Sequence, residues 1–241
     1  MTFWIPLESN PEVMTKFLHQ LGVPKEWSIV DVYGLEPDLL ALVPKPVVAI
    51  ILLYPLQKKV HKLDSDNTLE DSEGNVKEQD TTNSGPIDPL VYYMKQYIHN
   101  ACGTIALIHS VANNLDTINL KDGFLKTFLD KSKNLSYSEI GGLLMKSNEI
   151  SVAHEEMAHE GQTEAPSEEA PVYHHFVAFI QKNGVLYELD GRKAGPITHG
   201  PTSPETLLED AARVCKEYMA RDPEEMYFTV VALTNNNSES F

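Results

Sequence analysis

The most reactive group this sequence offers is a thiol at the start of an apolar helix. Cys102 sits in Asn100-Ala101-Cys102-Gly103-Thr104, between a polar turn and an apolar stripe of Ile105, Ile108, Val111 and Ala112. A helix N-terminus carries about half a positive charge and unpaired N–H groups, and both favour a thiolate. Gly103 is expected to leave room beside the thiol for a substrate backbone. The second cysteine, Cys215, lies on the stripe Leu207, Leu208, Ala211, Val214 and Tyr218 and reads as a small buried hydrophobe. A cysteine nucleophile needs a base, and the base needs an orienting group. Of nine histidines, His19, His109 and His199 show no acidic neighbour placed to orient them, and His61 and His99 fall in or beside polar turns. His174-His175 opens a hairpin that Asp190 closes.

That hairpin can be laid out residue by residue. Asn183-Gly184, between Phe176–Ile180 and Val185–Leu189, is a two-residue turn signal. Lys182 then pairs with Val185, and Val177 falls opposite Asp190. His175 lies two residues from Val177 on the face of Asp190, a diagonal neighbour roughly 7–8 Å away between backbones. His174 points to the other face. A three-residue turn would select His174 instead, and the turn type favours two. The order Cys102, His175, Asp190 is that of papain-like thiol hydrolases.

Metal and phosphate chemistry find no support. His154-Glu155-Glu156-Met157-Ala158-His159 spaces its histidines at i, i+5, where a zinc-binding helix needs i, i+4. Neither an EF-hand spacing, a GxxxxGK[ST] run nor a GxGxxG run occurs. No cofactor and no metal are expected.

The elements that must position these groups read as follows. Asn10-Pro11-Glu12 starts a helix with the stripe Val13, Phe17, Leu18 and Leu21, ended by Gly22. Val47–Tyr54, bounded by Pro46 and Pro55, is a strand buried on both faces. Leu90–Ile98 has helical spacing; Phe124, Leu125, Phe128 and Leu129 mark another helix; Ser136-Tyr137-Ser138-Glu139 is a capping box. Ser203-Pro204-Glu205 caps a last helix, and Met226–Leu233 is a final strand. Two polar stretches interrupt the pattern: Lys58–Pro89, a flexible insertion, and Ser151–Pro171, an acidic loop. The tail from residue 235 is polar. Helices alternating with strands and a hairpin argue an α/β or α+β domain with a mixed or antiparallel sheet.

Composition narrows the partners. The 241 residues carry a formal charge of −16, with 42% apolar and 22% charged residues. That field repels polyanions, so no nucleic acid is expected, and a basic partner is favoured. The longest apolar run is far below the ~20 residues a membrane helix needs. The opening Met-Thr-Phe-Trp-Ile-Pro has neither the basic nor the apolar region of a signal peptide, so a cytoplasmic setting with reduced cysteines is expected.

With these residues in hand, the chain resembles the ubiquitin C-terminal hydrolase family of cysteine proteases, of the short single-domain type. Gln96-Tyr97-Ile98-His99-Asn100-Ala101-Cys102-Gly103-Thr104 resembles the family's active-site segment. His175-Phe176, Leu186-Tyr187-Glu188-Leu189-Asp190-Gly191-Arg192, His159-Glu160-Gly161-Gln162-Thr163 and Pro6-Leu7-Glu8-Ser9-Asn10-Pro11 also match, from Trp4 to Leu233. The resemblance implies one catalytic domain over 1–234, an αβα sandwich with a central antiparallel sheet flanked by helices and a knotted backbone. It implies Cys102 as nucleophile, His175 as base, Asp190 as orienter, and Gln96 with the Cys102 N–H as oxyanion hole. It makes 151–171 a crossover loop over the active site. Ubiquitin contacts would fall on Pro6, Leu7, Glu8, Ser9, Asn10 and Pro11, on Ala158, His159, Glu160, Gly161, Gln162, Thr163, Glu164 and Ala165, and on Glu225, Met226, Tyr227 and Phe228. The implied partner is ubiquitin, bound by a monomer through its basic tail. Two alternatives remain open: action on NEDD8 as well, or a non-catalytic module that stabilises free ubiquitin.

Overall fold

A computed structural model describes residues 3–56, 88–162 and 172–236. Six strands make one antiparallel sheet: β1 (Trp27–Asp31), β2 (Val47–Pro55), β3 (His174–Lys182), β4 (Val185–Leu189), β5 (Ile197–Pro201) and β6 (Thr229–Asn235), in the order β1-β6-β2-β3-β4-β5. β2 is central because it can be buried on both sides. Val48, Ala49 and Ile51 enter one core, and Val47, Ile50 and Leu52 the other. Full burial of one such aliphatic side chain contributes about 1.5–3 kcal/mol.

The larger core lies under α1 (Pro11–Leu21), α3 (Cys102–Ala112), α4 (Phe124–Ser132), α5 (Tyr137–Leu144) and α6 (Asn148–Ala158). The smaller lies under the short α2 (Pro37–Leu40) and α7 (Leu207–Met219). The expected αβα sandwich with a central antiparallel sheet is the observed architecture. Local chemistry sets the helix ends. Asn10 Oδ1 accepts from the N–H groups of Glu12 and Val13, and Gly22 closes α1 with φ 107°. Ser136 and Glu139 form the expected capping box of α5. In α3 every residue from Cys102 to Val111 is buried, so this helix is sandwiched rather than amphipathic.

Several expectations are corrected. Residues 91–97 are neither helix nor strand. Their backbone N–H groups are taken by distant acceptors, Tyr92 by Asn113 Oδ1, Met94 by His109 Nε2, Lys95 by Tyr137 O and Gln96 by Gly191 O. The acidic loop begins later than Ser151, because Ala153, His154, Met157 and Ala158 bury one face of α6. α7 starts at Leu207, with Ser203 in the turn before it, and β6 starts at Thr229 and runs through Asn235. The edge strands β1 and β5 have no counterpart in the sequence reading. The insertion 58–89, apart from residues 88 and 89, lies outside the described residues, as do the loop from 163 to 171 and the tail from 237. Among the described residues, no helix is long and apolar enough to cross a membrane.

Candidate active site

The hairpin has the expected register. Asn183 (φ 48°) and Gly184 (φ 81°) make the two-residue turn, Lys182 pairs with Val185 and Ala178 with Leu189. β3 begins and β4 ends at the same end of the sheet, so His175 and Asp190 meet there. His175 Nε2–H donates to Asp190 Oδ1 at 2.6 Å, and both side chains are buried. The same oxygen accepts the Arg192 N–H at 2.9 Å, which fixes the carboxylate. His175 Nδ1 is buried with no partner in ordinary hydrogen-bond geometry among the described residues. Tyr54 packs edge-on against the imidazole, ring centroids 5.8 Å apart.

Cys102 is the first residue of α3, preceded by Asn100 in the left-handed conformation that asparagine tolerates (φ 61°). The thiol and the His175 imidazole are close enough to move each other's titration. Burial pushes the Cys102 thiol up. The neighbouring imidazole, the Phe176 N–H and the Arg192 charge outweigh this and leave it below the ordinary thiol value. Burial pulls His175 down, but the hydrogen bond and charge of Asp190, with the Cys102 thiol, hold it up at about 9. Burial raises Asp190, and His175 and Arg192 bring it below the usual carboxylate range. Near neutral pH these shifts favour a thiolate–imidazolium pair next to a fixed carboxylate.

Gln96 approaches from the irregular segment. Its Nε2–H donates to Ile98 O at 3.1 Å, and its buried Oε1 has no partner among the described residues. The amide is thus held at one corner, with its second N–H hydrogen uncommitted. The space beside Gly103 corrects the earlier expectation: a Cβ there would meet Leu7 and Phe176 at 3.2–3.3 Å, so protein packing fills it.

Several other histidines have structural partners among the described residues. His154 accepts from Thr104 Oγ1 and donates to Ile5 O, and among the described residues no cluster could hold a metal ion. His199 does have an acidic partner, contrary to the sequence reading. Its Nε2–H donates to the buried Glu188 Oε2 at 2.7 Å, and Tyr218 OH donates to Oε1 at 2.6 Å. Cys215 is fully buried, with its thiol pushed up to about 12 by that burial.

The surface segments fall into two groups. Glu8 Oε2 accepts the Gln162 N–H at 2.7 Å and Lys16 pairs with Glu160, so 6–11 and 158–162 lie together. Leu7 and Ala158 are buried and the Asn10 side chain caps α1, so these three serve the fold. Met226 and Tyr227 are exposed at 86% and 74%, and the Tyr227 ring stands 6.5 Å from that of His174. Thr163, Glu164 and Ala165 lie outside the described residues.

The profile of the family described as "Ubiquitin carboxyl-terminal hydrolase, family 1" matches residues 4–220. The chain belongs to that family. Among its relatives, a ubiquitin carboxyl-terminal hydrolase of Drosophila melanogaster is 52% identical over 236 residues, covering 97% of this chain and 98% of that protein. The human ubiquitin carboxyl-terminal hydrolase isozyme L1 is 42% identical over 229 residues, covering 95% and 96%. The fold is similar to that of the Trichinella spiralis UCH37 catalytic domain bound to ubiquitin vinyl methyl ester, with TM-score 0.71, 25% identity and coverage of 96% and 95%. Family 1 membership makes the hydrolase a cysteine peptidase, the chemistry for which a buried thiol beside an imidazole and a carboxylate is suited.

Proposed function

We propose that this hydrolase releases ubiquitin from small C-terminal adducts, esters, thioesters and short peptide extensions, with Cys102, His175, Asp190 and Gln96 as its catalytic groups. The observation that carries the assignment is the buried His175, clamped to Asp190 through Nε2 and close enough to the Cys102 thiol for each to shift the other's titration.

The Cys102 thiolate attacks the carbonyl carbon of ubiquitin's terminal glycine. The C–O π electrons move onto oxygen, where the Cys102 backbone N–H and the second Gln96 Nε2–H meet the negative charge. One such donor is worth about 10²–10³ in rate. The tetrahedral intermediate collapses, the imidazolium gives its proton to the leaving amine or alcohol, and a thioester remains. Neutral His175 then takes a proton from water as it attacks the thioester, and collapse returns the thiol and frees the ubiquitin carboxylate. Asp190 keeps Nε2 protonated throughout, so that Nδ1 does the proton transfer.

Charge supports the choice of partner. Ubiquitin's tail carries arginines, and a chain of charge −16 attracts it. The exposed Met226 and Tyr227 and the Glu8–Gln162 junction are the surfaces we assign to ubiquitin. The protein works as a monomer in the cytoplasm on this reading, and NEDD8 is a second substrate to be measured against ubiquitin. The decisive experiment treats the protein with ubiquitin vinyl methyl ester and locates the adduct by mass spectrometry. One adduct at Cys102, lost in Cys102→Ala, is expected. No adduct on a folded protein, or one at Cys215, overturns the assignment.

A further inference from the structure

Gln96 belongs to a segment without secondary structure, yet an oxyanion donor must be held within a fraction of an ångström. What holds it is the helix that carries the thiol. Tyr92 N–H donates to Asn113 Oδ1 at 2.8 Å, and Asn113 Nδ2 donates back to Tyr92 O at 2.9 Å. Two residues on, Met94 N–H donates to His109 Nε2 at 3.0 Å. Another two on, Gln96 N–H donates to Gly191 O at 2.8 Å. The segment therefore descends along α3 towards its N-terminus, with side chains of the helix serving where a neighbouring strand would serve. His109 lies about two turns from Cys102, and Asn113, still in helical backbone at the C-cap, about three. At about 100° per residue His109 and Asn113 fall ~20° to either side of Cys102, so all three share one face of the helix.

Two further features hold the segment against this ruler. The Tyr93 hydroxyl reaches Asp190 O at 2.5 Å and Lys193 O at 2.8 Å, and its ring stacks on His109 with centroids 5.2 Å apart. Glycines press on it from both sides. A Cβ at Gly141 of α5 would collide with Lys95 O, and one at Gly191 would sit 3.0 Å from Gln96 Cβ. His109 serves as an acceptor only while neutral, and burial pulls its pKa down to about 4.

We infer that His109 and Asn113 are positioning residues for the reaction, which set the distance between the Gln96 amide and the Cys102 thiol by fastening both to one rigid helix. The inference rests on Gln96 being the oxyanion donor, and the test separates the two. Turnover of a ubiquitin fluorogenic amide is measured for Gln96→Ala, His109→Leu, His109→Gln and Gly141→Ala, and for the last three combined with Gln96→Ala. The rate of Cys102 alkylation by iodoacetamide is followed alongside. Alkylation needs the thiolate but no oxyanion hole.

Gln96→Ala is expected to lower kcat roughly 10²–10³-fold. His109→Leu, which orphans the Met94 N–H, and Gly141→Ala, which displaces Lys95 by volume alone, should each lower kcat roughly 10-fold or more, with KM and alkylation unchanged. His109→Gln restores an acceptor and most of the rate. In the Gln96→Ala background the same changes should cost under about 2-fold, because the group they position is gone. Losses that persist in full on Gln96→Ala, or alkylation that falls with turnover, overturn the positioning role while leaving Gln96 in place. A silent Gln96→Ala overturns the oxyanion assignment itself. Should His109→Leu, or Gly141→Ala with its Cβ against a backbone oxygen, fail to fold, Asn113→Ala at the C-cap decides by the same comparison with and without Gln96→Ala, because it frees the Tyr92 N–H and C=O together.

Discussion

His175 and Asp190 show how one hydrogen bond sets a pH range. The folded pKa of His175, about 9, lies above its ordinary 6.5. Its pairing therefore stabilises the fold fully below about 6.5 and is lost as pH rises through about 9. Asp190 is shifted down, so its contribution is present above the ordinary carboxylate range and is lost as pH falls through its lowered value. Activity follows the same signs. It rises as Cys102 deprotonates at its lowered pKa and falls above about 9 as the imidazolium loses its proton. Asp190→Asn removes the charge and the strongest contribution holding His175 up. The alkaline limb of kcat/KM should move to lower pH and turnover should drop roughly 10²–10⁴-fold. An alkaline limb that stays at about 9 in Asp190→Asn would assign it to another group.

At the scale of elements, the β3–β4 hairpin carries the proposed base and orienter, His175 and Asp190, on β-register, and its turn is the testable joint. Gly184 has φ 81°, and a Cβ there would meet only Thr202 O, at 4.0 Å. Gly184→Val thus probes backbone strain without a clash, and is expected to cost roughly 1–2 kcal/mol in urea unfolding. An unchanged midpoint would mean that the turn adopts another form. This hairpin was legible in the sequence because Asn183-Gly184 fixes the register and alternation then fixes which histidine faces Asp190. The segment of Gln96 was not, because its apolar spacing imitates a helix while its N–H groups go to side chains and carbonyls far along the chain, on Asn113, His109, Tyr137 and Gly191. α6 was hidden for another reason. Ala153, His154, Met157 and Ala158 do form a buried face, but Glu149, Glu155 and Glu156 dilute it to an acidic loop on inspection. Gln96 is proposed as an oxyanion donor only through resemblance, since an exposed-looking glutamine carries no local signal of such a role.

For the whole molecule, the sheet divides two cores, and the proposed reaction falls at its end, where the first residue of α3 meets the start of β3. Neither core needs the acidic surface, and a charge of −16 destabilises a compact chain by self-repulsion. That excess has a use in the proposed reaction, in which a partner with a basic tail must be drawn in tail first. Steering acts on encounter and not on chemistry, so salt should separate the two. Raising ionic strength from 0.05 to 0.5 M shortens the Debye length from about 14 to about 4 Å. KM for a ubiquitin amide should then rise roughly 10-fold, near the low end of what steering fields supply. kcat should stay within about 2-fold, because the triad is buried and its mutual charges are screened far less than exposed ones. A KM indifferent to salt would show that contacts rather than charge capture the tail. A kcat that falls in step with kcat/KM would place the salt-sensitive groups inside the site, against the burial of His175 and Asp190.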